Sequence, residues 1–193
     1  MCIRDSSYVR GNWRKEENSS SVLLAKSIHD LDWIRYIVDS APKQVSSFGS
    51  LMFFKKENQP GGAADRCLEC ALEPQCPYSA PRFYLDRIRS GNIGAYVESV
   101  AGEATEENVL RQLRNGPYGR CVFACDNDVA DHQVVNIEFD NGATAVFTLA
   151  GCSRYGDRRT TVFGSLGELY GDGETLRCYS YLTGKAEEVA IPP

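Results

Sequence analysis

Residues 132–150 read HQVVNIEFDNGATAVFTLA. Two runs rich in β-branched and aromatic side chains flank Asn141-Gly142, a dipeptide in which both residues tolerate positive φ. The pattern predicts two antiparallel strands joined by a two-residue turn. With that turn, Val135, Ile137 and Phe139 share one face with Thr144, Val146 and Thr148. Val134, Asn136 and Glu138 share the other with Ala145, Phe147 and Leu149. Both faces are partly apolar, so each is expected to be covered, one by helices and one by a partner.

Downstream, TTVFG, GELYG, TLRCYSYL and KAEEVAI read as further short strands. Upstream, Leu24, Ile28, Leu31, Ile34 and Val38 recur at three- and four-residue spacing and predict a helix over 22–39, with the serines of KEENSSS as candidate N-caps and Pro42 as its stop. Residues 43–55 read as a strand, as does the neighbourhood of Tyr8, Val9 and Trp13. From Lys56 to Pro81 the chain is a long loop dense in Gly, Pro and Cys, which requires a staple or a function. Helices are expected over 82–89 and 105–114, the second capped by Thr105. Helices early and strands late specify an α+β fold, with helices on one face of a largely antiparallel, open sheet.

The 193 residues suffice for one domain. The opening hexamer MCIRDS fits no core, capping or targeting pattern and reads as a non-native start, leaving 7–193 as the domain. Asp plus Glu total 26 against 21 Lys plus Arg, and no basic run exists, which argues against nucleic acid or an anionic membrane as partner. No stretch approaches the ~20 apolar residues of a membrane span, and no export signal is visible, so the expected location is the cytoplasm. There, eight cysteines suit metal ligands, buried thiols or redox chemistry better than a disulfide framework. The chain lacks a Gly-x-Gly-x-x-Gly after a strand, a Gly-x-x-x-x-Gly-Lys and a Gly-x-Ser-x-Gly, so no cofactor domain is legible in it.

Three constellations carry possible chemistry. In KSIHDLDW, Lys26, His29, Asp30 and Trp33 stand at i, i+3, i+4 and i+7 on one helix flank. A histidine near a lysine and a carboxylate can serve as a general acid/base, whereas the plainer alternative is a solvated flank. Cys67-x2-Cys70 is spaced as one zinc knuckle and Cys76 adds a third thiol in the same loop, with Cys125, Cys121 or His132 as the fourth ligand. Cys67, Cys70, Cys76 and Cys125 are the set adopted for a structural zinc, against buried thiols or a redox pair. In CDNDVADHQ, Asp126, Asn127, Asp128, Asp131 and His132 precede a strand. Such a polar group can line a hydroxyl-binding site or form an ordinary turn, and Asp126, Asn127, Asp128 and His132 are the substrate-binding candidates.

Taken together, YVRGNWR, AKSIHDLDWIRYIV, VSSFGSL, RCLECALEPQCPYSAPRFY, GPYGRCVFACDNDVADHQVVNIEFDNGATAVFT and TTVFGSLGELYGD make the chain resemble the C-terminal domain of Gfo/Idh/MocA-type oxidoreductases. The resemblance covers nearly everything after the hexamer. It implies a dehydrogenase acting on a hydroxyl or ketone of a sugar, cyclitol or derivative, with NAD or NADP held by a Rossmann domain outside this chain. It further implies a homo-oligomer formed through the open sheet face. The family's proton-transferring histidine falls on His29. The family's usual Asp four residues earlier falls on Ala25, and Lys26 takes over part of its polar role. On this reading the chain alone is inactive. The rival readings are a zinc-stapled, non-catalytic binding module and an NAD-assisted glycoside-cleaving enzyme of the same fold.

Overall fold

A computed structural model describes residues 5–153 and 158–190. Most of the expected non-native start, Cys2 included, lies outside them. The chain divides into two compact units, Met1–Cys152 and Ser153–Pro193.

The first unit opens with a π-helical turn, Asp5–Arg10, where a strand was expected. The turn serves three consecutive buried residues with different destinations. Tyr8 packs with Val22, Val129 and Leu149, and Val9 with Phe54, Val122 and Phe123; Arg10 reaches backbone carbonyls. The helix predicted over 22–39 comes in two parts, a π turn at Leu23–Ser27 and α1, Ile28–Val38. No serine side chain caps it. Ser19 Oγ donates instead to Lys15 O, while the Ser21 carbonyl accepts from the amides of Leu24 and Ala25. Asp39, in the left-handed region at φ 49°, ends α1 before Pro42.

Strand β1 (Pro42–Ser50) pairs with β2 (His132–Phe139), and β2 with β3 (Thr144–Ala150), all antiparallel. The β2–β3 register differs by one residue from the expected one: Ile137 faces Ala145 and Val135 faces Phe147. The cause is the turn. The Gly142 amide donates to Phe139 O and the Phe139 amide to Ala143 O, with Gly142 alone at positive φ, 84°. This is a type I turn followed by a left-handed glycine, which adds a residue to the loop and exchanges the faces of the second strand. The face of Val135, Ile137 and Phe139 is therefore completed by Ala145 and Phe147, against Leu31, Ile34 and Val38 of α1. Phe48 and Val146 on the opposite face are 75% and 64% exposed.

Three further helices form their own core: α2 (Ala80–Arg89), α3 (Gly94–Ala101) and α4 (Glu106–Asn115). Tyr84, Val97, Val109 and Leu113 lie at its centre. Ser79 Oγ caps α2 and Thr105 Oγ1 caps α4. The sequence reading missed α3, because Ile93 offers no capping side chain; its trace is the spacing of Val97, Val100 and Ala101. The 56–81 loop contains three short 3-10 turns, at Lys56–Asn58, Cys67–Glu69 and Glu73–Gln75.

The second unit is an antiparallel meander of β4 (Thr160–Phe163), β5 (Gly167–Gly171), β6 (Leu176–Ser180) and β7 (Lys185–Val189), paired in chain order. Asp172 Oδ1 accepts from the Glu174 and Thr175 amides and closes the β5–β6 turn, where Gly173 has φ 95°. The architecture is α+β, as read from the sequence. Among the described residues no helix is long and apolar enough to cross a membrane.

Candidate active site and the cysteine loop

The π turn before α1 shapes the first candidate site. Ala25 packs beside Tyr8, Val22 and Leu149, and the Tyr8 hydroxyl donates to its carbonyl at 3.2 Å. Ser27 is fully buried. Lys26 and His29 are therefore carried on an anchored segment while both side chains remain exposed. A π turn takes more residues per revolution than an α turn, so Lys26 stands further round from His29 than i, i+3 spacing implies. No hydrogen bond or ion pair joins the two among the described residues. Further along the same flank, Trp33 and Tyr36 stack at 6.2 Å between ring centroids, both open to solvent.

The second candidate, residues 125–132, is a layer of bonded polar groups. Asp126 accepts from Arg14 Nε at 2.9 Å and Arg120 Nη1 at 2.6 Å. The Arg14 hydrogen bond and the Arg120 guanidinium hold its carboxyl well below the usual carboxylate range, against the opposing effect of burial. Asp128 Oδ1 accepts from the Glu16 amide at 2.9 Å, with Lys15 Nζ 3.8 Å from Oδ2. Asn127 Nδ2 donates to Phe54 O, at 3.3 Å. Asp126, Asn127 and Asp128 thus face the 14–16 segment and Phe54, and His132 is set apart from them.

Asp131 holds His132. Its Oδ1 accepts from the Met52 amide at 3.1 Å, and its Oδ2 from the Phe53 and Phe54 amides at 2.6 and 3.1 Å. His132 Nδ1 lies 3.0 Å from Asp131 Oδ1. Burial pushes the Asp131 carboxyl upward, but the histidine and the amides outweigh it and the net direction is down. The same carboxylate explains why β1 stops at Ser50 instead of continuing to residue 55: it takes the amides that a longer ladder would use.

The cysteine loop has a different staple from the one expected. Arg10 is 1% exposed; its Nε donates to Arg120 O at 2.6 Å, and its Nη2 to Tyr78 O at 2.7 Å and to Cys67 Sγ at 3.5 Å. Arg66 Nη2 donates to Leu113 O and Gly116 O, at 2.9 and 2.7 Å. Two guanidinium groups thus tie the loop to the N-terminal turn and to the end of α4. The zinc set Cys67, Cys70, Cys76 and Cys125 does not assemble: among the described residues no group of three or more His, Cys, Asp or Glu is placed to hold a metal. The Cys67 sulfur faces the Arg10 cation, and the Cys125 thiol donates to Cys121 O at 3.2 Å. Burial raises the Cys125 thiol to about 11 and also raises Cys76. Sequence reasoning passed over Arg10 and Arg66, and named Asp131 in the polar group without giving it a role. The one signal for Arg10 was a charged residue closing the apolar run Tyr8-Val9.

Two comparisons bear on this arrangement. The profile described as "Oxidoreductase family, C-terminal alpha/beta domain" matches residues 2–191. A relative from Bacillus subtilis (strain 168), YteT, named as an oxidoreductase with no substrate stated, is 21% identical over 171 residues, covering 85% of this chain. The aligned part is 37% of that relative's length.

Proposed function

The chain belongs to the oxidoreductase family whose C-terminal α/β domain it matches over residues 2–191, and from that premise we propose that it is the substrate-binding and assembly part of an NAD(P)-dependent oxidoreductase. The substrate class is a hydroxyl or ketone of a sugar, cyclitol or derivative. The observation that carries this reading is the near-complete family match in a chain that spans 37% of its relative's length. Beyond this domain there is room in such a protein for a cofactor-binding part.

A nicotinamide dinucleotide, when bound, supplies the two-electron exchange. Among the described residues no strand runs into a glycine-rich turn that opens a helix, so none of them offers the cradle that such a cofactor's phosphates need. The residues assigned here handle the proton. His29, exposed on an anchored segment, accepts or returns the proton of the reacting hydroxyl, and Lys26 contacts a substrate oxygen. The part of the open sheet face around the exposed Phe48 and Val146, short of the His132 end of β2, is assigned to contact with a second copy. The unbridged thiols of Cys67, Cys70, Cys76, Cys121, Cys125 and Cys178 suit a reducing compartment such as the cytoplasm.

The test is turnover of the full-length His29→Ala enzyme. Loss of ~100-fold or more with an unchanged melting curve is the expected result, and unchanged turnover rejects the role. Tight NAD(P) binding by the 193-residue chain would overturn the assignment of the cofactor to another part of the protein.

A further inference from the structure

The sequence contains two histidines, and they differ in how they are held. His29 has no hydrogen-bond partner among the described residues, whereas His132 Nδ1 is fixed at 3.0 Å from Asp131 Oδ1. That carboxylate is itself immobile. Its side chain is 6% exposed, and three consecutive amides, Met52 to Phe54, donate to it. Behind it the Gly151 amide donates to Asp131 O at 2.6 Å, an approach so close that a β-carbon at residue 151 would lie 2.6 Å from the same oxygen.

An ionised carboxylate accepting at Nδ1 selects the tautomer with its proton on Nδ1 and leaves a lone pair on Nε2. The His132 side chain is 43% exposed. Its cross-strand neighbours, Ser50 and Ala150, are small and leave the ring accessible. By register it goes with Val134 and Asn136, on the face that α1 does not cover. We propose that His132, oriented by Asp131, is a second proton-transfer site of this protein, taking the proton of a ligand hydroxyl at Nε2. In that step the ligand O–H bond breaks, an N–H bond forms at Nε2, and the electron pair stays on oxygen. The imidazolium then shares its Nδ1 proton with Asp131, which acts as the positioning residue. The hydroxyl-bearing ligand class rests on the oxidoreductase reading; the dyad itself does not.

Two measurements test it. The first is nitrogen-resolved NMR of the 193-residue chain, with myo-inositol and glucose as probes. The expected result is the Nδ1–H tautomer at His132 and ring shifts on adding either polyol, assigned to His132 by their loss in His132→Gln. Asp131→Asn should change the tautomer. Where that variant fails to fold, His132→Gln is the control that removes the shifting signal. The opposite tautomer, or no shift at ~100 mM polyol, overturns the proposal, since even millimolar binding would be seen. The second is kinetics of full-length His132→Gln, for which kcat falls ~100-fold or more with little change in KM. Retained kcat overturns the proposal and leaves the His29 assignment standing. A full-length protein with no hydride transfer overturns the oxidoreductase reading instead, and the NMR result then decides the dyad alone.

Discussion

The start of α1 and the 125–132 layer carry the same kinds of side chain, with opposite uses. On α1, Lys26 and His29 point outward and bond to nothing described, on a segment anchored from below by Ala25 and Ser27. In the layer, Asp126, Asn127, Asp128 and Asp131 are engaged by Arg14, Arg120, Glu16 and residues 52–54. Histidines and carboxylates near a strand look alike in a sequence whether they serve a ligand or the fold. What separates them is whether their lone pairs are already taken. Within the layer Asn127 Oδ1 is buried without a partner among the described residues, whereas His132 keeps a ring nitrogen open and is held in place by the residue beside it.

That contrast can be broken experimentally. The largest effect is expected at Arg10. Arg10→Met leaves the Tyr78 and Arg120 carbonyls without their donor and should destabilise the protein by about 3 kcal/mol in urea unfolding. A zinc chelator should leave the wild-type curve in place, and a chelator-induced loss of stability would restore the metal reading. Asp131→Ala strips the acceptor from three consecutive amides, two of them part-buried, and should cost about 2 kcal/mol, whereas His29→Ala should change stability by less than ~0.5 kcal/mol. Equal losses at the two positions would erase the distinction between layer and helix flank.

Acid unfolding gives a smaller, graded signal. The folded-state carboxyls of Asp126 and Asp131 lie below their ordinary values. Their stabilisation is therefore fully present above the unfolded carboxylate pKa of about 3.9, and is lost as pH falls through the depressed folded values. Below about pH 4 the wild type should lose stability more steeply than Asp131→Asn, as monitored by circular dichroism. Equal slopes would remove Asp131 as an ionised anchor. The smallest effect is at the hairpin. Gly142→Ala, at φ 84°, should cost about 1 kcal/mol. It also tests whether the left-handed turn sets the register that places Ala150, and not Gly151, opposite His132.

Much of the fold was legible because its signals are local. The alternation of 132–150, the apolar stripe of α1 and the Thr105 cap each depend on residues a few positions apart. Local signals fail where one residue changes a register. Asn141-Gly142 suits a two-residue turn as well as the three-residue one it adopts, and only the cross-strand bonds distinguish them. The helical turn at Tyr8–Arg10 was illegible for a related reason: its three residues are buried by partners more than 100 positions away as well as near ones. Of the candidate site, the sequence disclosed His29, Lys26 and the 126–132 polar group. It did not disclose which of those polar atoms were already bonded.

The sequence by itself determined the α+β class, the hairpin, the family resemblance and the absence of a dinucleotide fingerprint. Each follows from periodicity, turn chemistry or motif spacing. The tertiary structure alone decided that arginines tie the cysteine loop to the N-terminal turn and to the end of α4, and that Asp131 holds His132. Both depend on which lone pairs meet which donors after residues 57 to 110 positions apart come together, and no spacing along the chain encodes that.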